Sequence, residues 1–212
     1  MSNKSNCFIG IIDLKVNNLF SIYKACVLAG YKAEVINPKY KLSKYDMVLL
    51  PGVGSFKTGM DFLKKEKLNE KIMDYLNKKN SFIYGICLGM QLFFDSSSEF
   101  LKSNGLGLIK GEVTKFKKSR FDNNINIGWD KIKSTNKDFN KVFKNYLEEE
   151  FYFVHSYYCN PKKNEEKVAY SMHGNLKFTS IVKKEKIFGT QFHPEKSGKN
   201  GINFLKKIKH LI

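Results

Sequence analysis

Apolar residues in the first half of the chain come in short unbroken runs that alternate with longer stretches in which they recur every three or four positions. CFIGIID, at 7–13, is such a run, and it reads as a strand buried on both faces. NLFSIYKACVLAG, at 18–30, carries its apolar residues at helical spacing and ends on Gly30, a residue suited to closing a helix. KAEVI and DMVLL are further strands, and the second runs straight into the loop PGVGSF. From Lys57 to Lys79 the pattern predicts one helix with Phe62, Leu63, Leu68, Ile72, Met73, Tyr75 and Leu76 as its apolar stripe. SFIYGI is the next buried strand and MQLFFD the next helix. This alternation predicts an α/β fold with a mostly parallel sheet covered by helices on both faces.

The second half has a different texture. GEVTKF, FYFVHSYY, VAYSMHG, LKFTSIV and IFGTQF are strand-like runs with few helices between them, and HGN separates two of them as a hairpin turn would. An antiparallel layer added to the parallel core is expected. In the closing GINFLKKIKHLI, Ile202, Leu205, Ile208 and Leu211 fall along one helical stripe. With no repeat, linker or low-complexity tract, residues 1–212 read as a single domain.

Composition removes several classes of function. At 42% hydrophobic, 212 residues can bury a sizeable core. The N-terminal apolar stretch is too short for a secretion signal and is broken by Asp13, and no run approaches the length of a membrane helix, so no membrane association is expected. Cys7, Cys26, Cys87 and Cys159 are scattered without CxxC or metal-like spacing, which argues against disulfides or a zinc site and for a reducing cytoplasm. The net charge of +17 invites a nucleic-acid reading. Yet Arg120 is the only arginine, and the lysines are spread through almost every segment with acids among them. A solvated, lysine-rich surface explains that pattern better than a nucleic-acid face.

Two segments carry candidate chemistry. Cys87 lies in GICLG, between a strand and a helix, and G-x-C-x-G has the form of a nucleophile elbow. A helix start there would favour a thiolate and offer a backbone N–H to an oxyanion. A buried core thiol between tight turns satisfies the same pattern. GTQFHPEKSG places His193 and Glu195 two residues apart, so that in an extended segment both side chains point the same way. The carboxylate could then orient the imidazole as in a Cys-His-acid arrangement, although an isolated HPE also suits a surface histidine beside a solvated acid.

Taken together and in order, LLPGVGSF, GICLGMQLFF and GTQFHPEKS resemble the signature of class I, triad-type glutamine amidotransferases. FYFVHSYY and the pairing of the last two motifs most resemble the glutaminase subunits of imidazole glycerol phosphate synthases. The resemblance implies a flavodoxin-like α/β fold and hydrolysis of L-glutamine, with ammonia passed to a separate (β/α)8-barrel synthase subunit in a heterodimer. No metal or organic cofactor is implied. Cys87 would be the nucleophile, His193 the base and Glu195 its orienting acid. Leu88 and Val53 would supply oxyanion-hole N–H groups, the latter from a loop whose Gly52 and Gly54 permit rearrangement. Gln91, Glu99, His155, Ser156 and Tyr157 would line the glutamine pocket, with Glu99 suited to the ammonium. Asn18, Trp129, Tyr152 and Lys196 map to the face that meets the synthase.

Two segments depart from the family pattern. Lys15, Val16 and Asn17 stand where small residues are usual, and INIGWD puts Ile125, Asn126 and Asp130 where Pro-His and Asn are usual. Both are expected near the docking face, which leaves open a paralogue feeding a sugar amidotransferase of surface-glycan synthesis. A basic binding module without catalysis is the remaining alternative.

Overall fold

A computed structural model describes residues 7–15, 18–37, 41–99, 102–117 and 124–212. Among them the strands are β1 (Phe8–Ile12), β2 (Lys32–Ile36), β3 (Met47–Gly52), β4 (Ile83–Cys87), β5 (Phe94–Ser97), β6 (Ser103–Asn104) and β7 (Ile109–Lys115). They continue with β8 (Asn126–Lys131), β9 (Glu150–His155), β10 (Tyr157–Pro161), β11 (Lys167–His173), β12 (Leu176–Lys184) and β13 (Ile187–Thr190). The α-helices are α1 (Leu19–Leu28), α2 (Phe56–Lys65), α3 (Leu68–Leu76), α4 (Leu88–Gln91), α5 (Lys137–Phe143) and α6 (Gly198–Ile208).

One sheet runs in the order β2-β1-β3-β4-β13-β12-β10-β7-β5-β6, with β11 paired to β12. Its first five strands are mutually parallel. Beyond β13 the pairing turns mostly antiparallel, while β8 and β9 form a separate two-stranded layer. Because successive strand residues face opposite sides, the parallel block feeds two cores. Met47, Leu49, Tyr84 and Ile86 enter the one beneath α1 and α6. Val48, Leu50 and Ile83 enter the one beneath α2 and α3. The first core is rich in aromatics: Phe143, Phe151, Phe188 and Phe192 are fully buried around Phe204 in the middle of α6. That packing braces the segment carrying His193.

The structure departs from the expected elements in three places. The helix expected over 57–79 breaks into α2 and α3 at Lys67, whose φ of 53° is left-handed, so the continuous stripe is divided between two helices. MQLFFD holds only the end of the short α4, since Phe94 already begins β5. There tertiary pairing with β7 overrides helical spacing. FYFVHSYY is not one strand but two, β9 and β10, interrupted at Ser156, each half joining a different sheet. The hairpin at HGN forms as expected, with His173 opposite Leu176.

Candidate active site

The parallel strands β3, β4 and β13 bring their C-terminal ends together, which in an open α/β sheet is where a site forms. Cys87 is the last residue of β4 and sits opposite Gly52 of β3. Its φ of 52° and ψ of −107° put a side-chain-bearing residue in a region that costs about 1–3 kcal/mol. The glycines of GICLG explain how so sharp a turn is tolerated. A Cβ on Gly89 would stand 1.7 Å from the Leu50 carbonyl oxygen, and one on Gly85 would stand 2.6 Å from the Gly89 and Met90 backbone. The turn thus exists because α4 presses directly on the strands. A pocket of about 410 Å³ opens above it, and Cys87 lines the pocket although only 5% of its surface is exposed. Cys7, Cys26 and Cys159, by contrast, are buried and line no part of it.

Behind Cys87 lies the histidine cluster. His193 Nδ1 and Glu195 Oε1 are 2.7 Å apart, their side chains 2% and 4% exposed. Burial opposes a charge on the imidazole, but the Cys87 sulfur and the Glu195 carboxylate outweigh it and push His193 up to about 10. Nε2 is buried without a hydrogen-bond partner among the described residues, so nothing competes with sulfur for that nitrogen. The backbone is fixed as tightly: the His193 N–H donates to the Tyr152 carbonyl at 2.9 Å. The Ser197 hydroxyl donates to the His193 carbonyl at 2.6 Å and accepts the Tyr152 N–H at 3.0 Å.

Val53, Gly54, Leu88, Gln91, Glu99, His155, Ser156 and Tyr157 all line the pocket with Cys87. Gly52 lies just outside it, buried under Leu88. Glu99 accepts the Phe56 N–H at 2.5 Å, so one carboxylate ties the pocket wall to the first turn of α2. His155 is neutral: burial pushes it down to about 3. Its Nδ1–H donates to the Tyr157 carbonyl at 2.8 Å, leaving Nε2 to accept from Asn126 Nδ2 at 3.4 Å.

Three of the residues assigned to a docking face lie side by side. Trp129 and Tyr152 pack edge to face at 5.9 Å, and Lys196 Nζ lies 5.8 Å from the Tyr152 ring. Lys196 also lines the pocket. Asn18 is exposed at the start of α1, where it accepts the Ser21 N–H at 3.3 Å. Of the departing segments, Val16 and Asn17 lie outside the described residues, and Lys15 pairs with Asp13 at 2.5 Å. Asn126 points inward, 5% exposed, donating to Asp130 at 3.0 Å as well as to His155. Sequence reasoning missed Ser197 and Gln191. The second could have been found, since it precedes His193 by two positions in an extended run and so shares its face.

Residues 10–209 match the glutamine amidotransferase class-I family. The chain is 40% identical to the imidazole glycerol phosphate synthase subunit HisH of Chlorobaculum tepidum, covering 93% of this chain and 97% of that one. It is 39% identical to the HisH subunit of Methanocaldococcus jannaschii, covering 96% and 100%. Among solved structures, PurLQS from Thermotoga maritima superposes with a TM-score of 0.73 at 20% identity, covering 97% of this chain and 99% of that one, a likeness of fold. This chain belongs to the class-I glutamine amidotransferases.

Proposed function

We propose that the chain is the glutaminase subunit of an imidazole glycerol phosphate synthase, a single cytoplasmic domain that feeds ammonia to a (β/α)8-barrel partner in histidine biosynthesis. The observation that carries this is the strained Cys87 at the pocket floor with the buried His193–Glu195 pair behind it. Near-full-length identity to HisH subunits supports the choice of pathway.

In this reading Cys87 Sγ, its proton transferred to His193, attacks the side-chain amide carbon of glutamine. The resulting oxyanion is met by the Leu88 and Val53 N–H groups. As the C–N bond breaks, His193 returns the proton to the departing nitrogen, giving ammonia and a glutamyl thioester. Water, deprotonated by His193, then hydrolyses the thioester to glutamate and free thiol. Glu195 holds the imidazole tautomer throughout, and Glu99 receives the substrate ammonium. Ammonia that reached bulk water would be protonated and useless as a nucleophile. The docking face around Trp129, Tyr152 and Lys196 therefore has to seal against the partner.

The glycan-pathway alternative rests on the altered segments 15–17 and 125–130. In the second of these Asn126 is buried and donates to Asp130, whereas Ile125 is 43% exposed and lines the pocket. The test is to mix the purified chain with candidate synthases and measure glutamate release and labelling by a glutamine-like chloroketone. Activation by the barrel cyclase, with labelling abolished in Cys87→Ala, is expected. Activation only by a sugar amidotransferase would overturn the pathway, and labelling that persists in Cys87→Ala would overturn the nucleophile.

A further inference from the structure

Gln191 is fully buried, lies outside the pocket lining, and nevertheless contacts the sulfur: its Nε2 is 3.5 Å from Cys87 Sγ. Its backbone N–H donates to the Ser180 carbonyl at 2.9 Å, which fixes the start of the side chain. At the other end, Gln91 Nε2 donates to Gln191 Oε1 at 3.3 Å and to the Tyr157 carbonyl at 3.0 Å.

The direction of this chain is set by its far end. A backbone carbonyl can only accept, so Tyr157 obliges Gln91 to present its NH2 group. Both of that group's hydrogens are then used, one on Tyr157 and one on Gln191. Gln191 must therefore turn its oxygen toward Gln91 and its nitrogen toward sulfur. Reversing Gln91 would set its oxygen against the Tyr157 carbonyl and the Gln191 oxygen, and reversing Gln191 would set two NH2 groups against each other. The outcome is an N–H donor held against Cys87, a group that favours a sulfur anion. The acceptor near the sulfur, the Val154 carbonyl, is farther away at 4.0 Å.

We propose that Gln191 is a positioning residue that holds the Cys87 sulfur and favours its ionised form, with its own orientation fixed by Gln91 in the pocket wall. It touches no substrate. His193 sits on the same face two residues on, so the sulfur is flanked by a proton acceptor and a permanent donor from one strand end. The inference rests on Cys87 being the nucleophile.

Two variants separate the donor from the packing. Gln191→Met keeps the volume and loses both polar contacts, whereas Gln191→Glu keeps the shape and the oxygen facing Gln91 but replaces the donor. Each is compared with wild type in complex with the synthase by the rate of Cys87 alkylation with iodoacetamide across pH. Because hydrogen bonds to charged groups are the strong ones, alkylation near pH 7 should slow about tenfold in both variants, with the pH profile displaced upward by about one unit. Gln191→Glu should be at least as slow as Gln191→Met. Wild-type behaviour in Gln191→Met, or rescue by Gln191→Glu, would overturn the inference while leaving the nucleophile in place. A wild-type complex that never alkylates at Cys87 would overturn both. Should the Gln191 variants fail to fold, Gln91→Leu releases the amide to turn and is expected to slow alkylation about threefold; an unchanged rate there refutes the polarity argument.

Discussion

Replacing Gly89 by alanine adds one methyl group at the tightest point of the elbow. Its Cβ would stand 1.7 Å from the Leu50 carbonyl oxygen and 2.7 Å from the carbonyl carbon. Neither partner can yield cheaply, because β3 is hydrogen-bonded on both sides, to β1 and β4. To restore an ordinary contact of about 3.4 Å, α4 must move away by more than 1 Å, carrying Leu88 and the Cys87 turn with it. Overpacking of backbone on backbone belongs at the upper end of its range, about 3 kcal/mol or more, which for a chain of this length lowers Tm by about 6–12 °C. A shift of about 1 Å at a nucleophile costs roughly a hundredfold in rate. The assays are thermal melting and glutamine hydrolysis by the complex. Gly198→Ala is the control, since nothing lies within 4 Å of its Cβ and only the strain of its φ of 56° is added. A Gly89→Ala protein that melts within 2 °C of wild type and turns over normally would refute the close-packing explanation of the elbow.

Other outcomes follow from the same geometry. His193 at about 10 lies above the ordinary 6.5, so its contribution to stability is complete below pH 6.5 and is lost as pH rises toward 10. Cys87→Ala removes the attraction that holds the imidazolium, and should flatten the urea midpoint across that window; an unchanged slope contradicts the pairing. His155 at about 3 works in the opposite sense, since the unfolded chain takes up a proton that the folded one refuses, and stability falls between pH 6.5 and pH 3. His155→Asn should reduce that acid loss, read as a difference from wild type. Glu99→Gln keeps an acceptor for the Phe56 N–H but loses the carboxylate, so Tm should hold within about 2 °C while KM for glutamine rises tenfold or more. Trp129 is 51% exposed, so Trp129→Ala should leave the melting curve alone and weaken synthase binding by about 2 kcal/mol, measurable by calorimetry.

What could be read in advance was what depends on local pattern. The runs at β1, β3 and β4 show an apolar residue at nearly every position because both of their faces are covered, and that alone pointed to a parallel sheet. Cys87 and His193 were legible because a tight turn needs small neighbours and an extended Pro-containing segment aligns alternate side chains. The illegible elements were decided by distant partners. Phe94 leaves its helical pattern to pair with β7, and Ser156 divides FYFVHSYY because its two halves belong to different sheets. Alternation could place Gln191 on the face of His193 but could not show its role, which depends on Gln91, Tyr157 and Cys87, all remote in sequence.

The departures in the altered 125–130 segment divide between surface and interior: Ile125 is 43% exposed and lines the pocket, while Asn126 is buried. A lost Pro-His pair beside the lone tryptophan looks like a changed docking face. In β8, however, alternate residues face opposite ways, so Ile127 and Trp129 are exposed while Asn126 turns inward. There its amide donates to Asp130 Oδ2 and His155 Nε2 together. An asparagine at 126 supplies the two N–H groups that this pair of acceptors requires, and an aspartate at 130 supplies an acceptor, so two of the three departures form one hydrogen-bonded unit. Asn126→Leu should then destabilise the fold by about 1–3 kcal/mol, since it leaves Asp130 and His155 without their donor, and Asp130→Asn should cost less because an amide oxygen still accepts. Binding to the synthase should change in neither variant once folded. If Asn126→Leu instead kept its Tm and lost affinity for the synthase, the segment would belong to the docking face after all.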